Sequence, residues 1–105
     1  MIKVSVFYPN RPGAKFDMKY YCEKHIPMVQ QKLGAACKRM AVEQGIAGMA
    51  PGAPAAFVAM GHIYCESAEA FQAAFAPHAQ GIMGDIPNYT DLTPVMQISE
   101  VVVGQ

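Results

Sequence analysis

Ile2, Val4, Val6 and Tyr8 alternate with Lys3, Ser5 and Phe7, a period of two that predicts a strand over residues 2–8. The turn-rich PNRPGAK follows. The pattern then changes in FDMKYYCEKHIPMV, residues 16–29. Asp17 is a good N-cap, and Met18, Tyr21, Cys22 and Val29 recur at helical spacing, with His25 on the same mostly apolar face. Pro27 removes a backbone donor and disfavours helical geometry at Ile26, so the helix is expected to break near His25 and restart at Pro27. Gly34 is a suitable stop.

ACKRMAVEQ, residues 36–44, predicts a second strand, and residues 45–55 a mobile loop with little to fix it. AFVAMGHIYCE, residues 56–66, predicts a third strand, apolar on both faces and therefore covered on both. Its alternation places Val58, Met60, His62 and Tyr64 on one face and Phe57, Ala59, Gly61, Ile63 and Cys65 on the other. Ser67 caps a second helix with Glu69 in its first turn. Phe71, Ala74, Phe75 and His78 line one side of that helix, with His78 complementing its dipole. QGIMGDIPN, residues 80–88, is expected to be a connection, and residues 90–103 a last strand with Pro94 at its start. The order β-α-β-β-α-β predicts an α+β, ferredoxin-like fold: a four-stranded antiparallel sheet with both helices on one face.

Length and composition narrow the picture. The 105 residues fit one domain, 1–105, and 52% of them are apolar, enough for a core. A domain this small buries only roughly two-thirds of its unfolded surface, so a second subunit on the bare sheet face is expected. Net charge is zero and no basic run occurs, which argues against nucleic acid and anionic membranes as partners. No apolar run approaches the roughly 20 residues of a bilayer span. MIKVSVFYP resembles a strand and not a signal peptide, so a cytoplasmic location is expected. Cys22, Cys37 and Cys65 form no CxxC pair and are expected to be reduced and packed as small hydrophobes, with no zinc site.

Candidate chemistry is sparse. An imidazole can move protons under cellular conditions, which makes His25 the leading proton-transfer group, but it also suits a structural role, satisfying backbone freed by Pro27. Tyr21 shares its face and either lines a pocket or packs in the core, whereas Tyr20 must point elsewhere. His62 and Tyr64 lie in a pocket or at a subunit interface. Phe71, Phe75, Met28, Met60, Met83 and Met96 either wall an apolar cavity or pack as ordinary core. No phosphate loop, HExxH or dinucleotide fingerprint occurs, so no flavin or nicotinamide cofactor is expected.

FDMKYYCEKHIPMV, the third-strand pattern with SAEAFQAAF, and DIPNYTDLTPVMQISEVV together resemble the EthD family of the dimeric α/β-barrel superfamily. Tyr20-Tyr21 followed by His25 and Pro27 is the most specific element of the match. The resemblance implies a homodimer whose sheets pack into a barrel, with a pocket between sheet and helices in each subunit. It implies an oxidoreductase setting in xenobiotic degradation. Superfamily relatives include cofactor-independent monooxygenases, decarboxylases, cyclases and haem-degrading enzymes. It also places Asp85, in GDIPNY, where the family carries an acidic residue before its last strand. Such a carboxylate either orients His25 or serves as a turn residue.

The expected function is therefore a small enzyme, monooxygenase-like and without cofactor, acting on a hydrophobic oxygenated compound. Its expected catalytic residues are His25 and Asp85, and its substrate contacts Tyr21, Tyr64, Phe71 and Phe75. The alternative is a non-catalytic ligand-binding or accessory protein of a degradation pathway, working with an oxidoreductase partner.

Overall fold

The computed structural model describes residues 1–104. Strands β1 (Ile2–Pro9), β2 (Arg39–Gln44), β3 (Phe57–Cys65) and β4 (Val95–Glu100) form one sheet in the order β2-β3-β1-β4, every neighbouring pair antiparallel. The β1 alternation holds: Val4 and Tyr8 are buried beneath the helices. The strand-three alternation holds from Ala59 onward and fails before it. A register shift at Tyr8/Pro9 pairs Phe57 with Pro9. That bulge turns Phe57 onto the open face, where its ring lies 5.3 Å from that of Phe7, and Val58 packs toward the Tyr8 cluster instead.

The first helix does not break. Its segments Met18–Tyr20, Tyr21–His25 and Ile26–Leu33 run on as one helix, α1. Asp17 caps it, accepting from the Tyr20 amide at 3.0 Å. The middle segment is a π turn: the Ile26 amide reaches back five residues to the Tyr21 carbonyl. Ile26 itself is helical, with φ −61° and ψ −46°. The wider turn absorbs one residue and puts Pro27 in the first turn of the α segment that follows, where a missing amide costs least. Gly34 ends the helix at φ 58°.

Ser67 caps helix α2 (Ala68–Phe75) by accepting from the Ala70 amide at 3.0 Å. The stretch expected to be a connection is helical: a 3₁₀ turn (Ala76–His78) leads into α3 (Ala79–Asp85) and a second 3₁₀ turn (Ile86–Asn88). Gly81 and Gly84 weaken its propensity, but Ile82 and Ile86 are buried, and tertiary packing outweighs propensity. A Cβ at Gly81 would meet nothing within 4 Å. Gly81→Ala is therefore expected to stabilise the fold by about 0.5–1 kcal/mol, read as a higher urea midpoint at constant m. A lowered midpoint would show that the α3 backbone needs glycine.

The last strand is shorter than the expected 90–103. Residues 89–92 instead clasp the start of α1. The Asp17 amide donates to the Tyr89 carbonyl at 2.7 Å, and Thr90 Oγ1 donates to the Lys15 carbonyl at 2.6 Å. The 45–55 loop carries its own backbone bonds, Gly48 to Ala53 and Ala53 to Ala50. Cys65 is buried and Cys37 packs against the core, but Cys22 is exposed and does not join the apolar face of α1. Among the described residues, no helix is long and apolar enough to cross a membrane.

Candidate functional site

Two buried clusters lie between sheet and helices. One gathers Val29, Leu33, Ile63, Phe71 and Ile82, and the other Tyr8, Tyr21, Ile86, Tyr89 and Leu92. Between them is a cavity of about 240 Å³. Its wall includes Phe71, Phe75, Tyr21 and His25, with Met40, Met83 and Met96 adding adaptable apolar surface. Met60 is on the open face, opposite Phe7, and Met28 packs against the first cluster.

His25 is placed by the π turn. Tyr21 and His25, four residues apart, are both buried on the same side of the helix, their rings 5.8 Å apart and nearly parallel. His25 Nδ1 lies 2.9 Å from Asp85 Oδ2. Asp85 stands at the end of α3, so the helical 79–85 segment delivers it. Its other oxygen accepts from Tyr20 Oη at 2.8 Å and from Asn88 Nδ2 at 2.9 Å. Burial pushes the Asp85 carboxyl up, but the bonds from Asn88, His25 and Tyr20 together outweigh it and hold the group below the usual carboxylate range. An ionised carboxylate only accepts, so Nδ1 carries the hydrogen and donates it. In the neutral imidazole the lone pair is then on Nε2.

Among the described residues that nitrogen has no hydrogen-bond partner, no side-chain nitrogen or oxygen is both sealed and unpartnered, and the ring lines the cavity. The arrangement is an oriented base over an apolar chamber. His25 does not satisfy local backbone, and Asp85 bonds side chains across the fold in place of turn amides.

The depressed Asp85 group contributes stability that is complete above the unfolded pKa, about 3.9. That contribution is lost as pH falls through the lower folded value. Asp85→Asn is expected to cost about 1–2 kcal/mol at pH 7, with the gap to wild type closing in denaturant titrations below pH ~3. A gap that stays constant with pH would mean that the charge contributes nothing.

Tyr64 is not part of this wall. It pairs with Lys3 and Arg39 on the sheet face away from the helices, and its ring lies 4.2 Å below the Arg39 guanidinium. The period of two fixes this: Ala59, Gly61 and Ile63 face the helices, so His62 and Tyr64 cannot. His62 on the open face is held by Ser5 Oγ at 2.9 Å and by Glu43 at 3.0 Å. Sequence reasoning missed Tyr8, Tyr89 and the roles of Tyr20 and Asn88. Tyr20, one helical position from Tyr21, reaches Asp85 from its outer side. Tyr8 was detectable, since it continues the buried set of β1. Tyr89 carried no signal, because a single tyrosine after a proline turn has no period. Among the described residues no three groups of metal-ligating type converge.

The EthD domain model matches residues 14–93. An uncharacterised 11.0 kDa protein of Rhodococcus erythropolis, from the thcB–thcC intergenic region, is 37% identical over 92 residues, covering 85% of this chain and 84% of the relative. The crystal structure of an EthD-like protein from Ralstonia eutropha JMP134 is 58% identical, with TM-score 0.95 over 99% of this chain and 94% of that one. An EthD-family structure from Bacillus halodurans C-125 shares the fold at 21% identity, TM-score 0.72, covering 95% of this chain and 97% of that one.

Proposed function

The chain belongs to the EthD family, and from that premise we propose that it is an enzyme whose first step is proton abstraction by His25 from a small apolar carbonyl compound held in the cavity. One observation carries the proposal: His25 is tethered through Nδ1 to Asp85 while its ring lines an apolar chamber. The Nε2 lone pair takes a proton from the carbon beside a carbonyl. The C–H electrons form the enolate double bond, and negative charge moves to oxygen. Asp85 stabilises the imidazolium that results. Phe71 and Phe75, stacked with centroids 5.2 Å apart, hold the apolar body of the substrate. The working form is a homodimer paired through the open sheet face, where Phe7, Phe57, Met60 and the exposed Val95 leave an apolar area uncovered.

The test is exchange of carbon-bound hydrogen. A panel of aryl ketones is incubated with the protein in D₂O, and loss of the α-proton signal is followed by NMR. Exchange above the buffer rate is the expected result. Saturable binding of these ketones with no exchange of any of them would make the protein a ligand-binding module.

A further inference from the structure

Three phenols lie beside the His25–Asp85 pair, and proton abstraction alone gives them no task. Tyr8 comes from β1, Tyr21 from the π turn and Tyr89 from the segment after the last 3₁₀ turn; they are 1%, 1% and 3% exposed. The Tyr8 and Tyr89 hydroxyls are hydrogen-bonded at 2.5 Å, and the Tyr21 ring packs edge-on against that of Tyr8 with centroids 5.6 Å apart. Three phenols hold three O–H protons, and this link uses one of them. The Tyr21 hydroxyl keeps its own.

The cavity is where that donor can go. Tyr8 and Tyr21 line it, and Tyr89 stands behind them. The Tyr21 hydroxyl lies over Gly61, which is also on the wall. The Tyr21 proton is thus available at the cavity wall, with the Tyr8–Tyr89 pair beside it. Burial pushes all three phenols above their ordinary ionisation, so they remain donors at neutral pH. The Tyr21 ring lies parallel to the His25 ring at 5.8 Å, so base and donor border the same space.

We propose that the Tyr21 hydroxyl, beside the hydrogen-bonded Tyr8–Tyr89 pair, binds a ligand oxygen bearing negative charge on an unsaturated carbon, the oxygen of a phenolate or an enolate. The inference rests on the cavity reading above and narrows its substrate class to phenols and enolisable ketones. A chamber of roughly 150 Å³ holds benzene. The 240 Å³ here therefore suits one substituted ring.

The probe is 4-nitrophenol, whose phenolate has its own absorption band, titrated with pH free and bound. The bound probe is expected to ionise at lower pH than the free one. Tyr21→Phe, with melting temperature checked, should raise the bound ionisation by about one to two pH units, with Tyr89→Phe giving a smaller rise. If Tyr21→Phe does not fold, Tyr8→Phe replaces it with the same expected rise. The lowered ionisation should persist in His25→Ala, since the phenol hydroxyls are its source. Binding of the neutral phenol alone, an ionisation indifferent to Tyr21→Phe, or its loss only in His25→Ala overturns this inference and leaves the cavity reading standing. No binding of 4-nitrophenol at all overturns this inference too, and the ketone exchange then decides the cavity reading by itself.

Discussion

Replacing His25 with alanine is expected to slow catalysed α-proton exchange by about 10²–10⁴-fold, the usual contribution of a positioned general base. The variant should still fold. Asp85 is not stranded by the change, because Tyr20 and Asn88 continue to donate to its Oδ1. What is lost is the bond to Oδ2 and the imidazole's contacts with Tyr21 and Tyr89, 5.8 and 4.7 Å between centroids. Asp85→Asn should slow exchange less than His25→Ala, because it weakens the orientation of the base without removing it. The two changes act through one group, so the double variant should be no slower than His25→Ala. A His25→Ala rate within about threefold of wild type would remove His25 from the chemistry, since no general base contributes so little.

The parts of this fold legible in the sequence were those set by local rules. The β1 alternation, the Asp17 and Ser67 caps and the Gly34 stop each depend on a few neighbouring residues, and each is found where expected. Pro27 signalled an irregularity, but the X-Pro preference pointed to a break. The π turn answers the same steric demand with less loss of helix. The helical 79–85 segment was hidden because Gly81 and Gly84 argue locally for a connection, while the burial of Ile82 and Ile86 is known only once the sheet is in place.

The same division runs through the site. His25, Asp85, Tyr21, Phe71 and Phe75 come together around or beside one cavity, although His25 and Asp85 are 60 residues apart in sequence. No periodicity could show that contact; only the family resemblance pointed toward it. Tyr64 could be tied to His62 by strand period, but a period does not say which face the helices cover. Tyr8 and Tyr89 meet across 81 residues, and neither has a sequence signal for its partner.

Gly61 is where the site and the fold place opposite demands on one position. It sits in β3, paired with Val6 and Val42, where glycine is normally a poor strand residue. Alanine there would gain about 0.5–1 kcal/mol from reduced unfolded-state freedom, as at Gly81. A Cβ at Gly61, however, would collide with the Tyr21 hydroxyl. Away from the cavity the Tyr21 ring is hemmed in, since Phe16, Tyr89 and Tyr8 crowd it with centroids at 5.1, 5.0 and 5.6 Å, so the hydroxyl can yield only into the ligand's space. Overpacking of this kind costs about 1–3 kcal/mol, which exceeds the gain. Gly61→Ala is thus expected to destabilise the protein by about 1–2 kcal/mol and to lower its melting temperature by roughly 4–16 °C. The sign is opposite to that of Gly81→Ala. Displacing the hydroxyl should also raise the ionisation of bound 4-nitrophenol, as Tyr21→Phe does. An unchanged melting temperature would mean that Tyr21 has slack, and a hydroxyl with slack is not held where a ligand oxygen needs it. Destabilisation with the bound ionisation unaltered would separate the two roles: Gly61 would then make room for packing, and the donor to the ligand would be Tyr8.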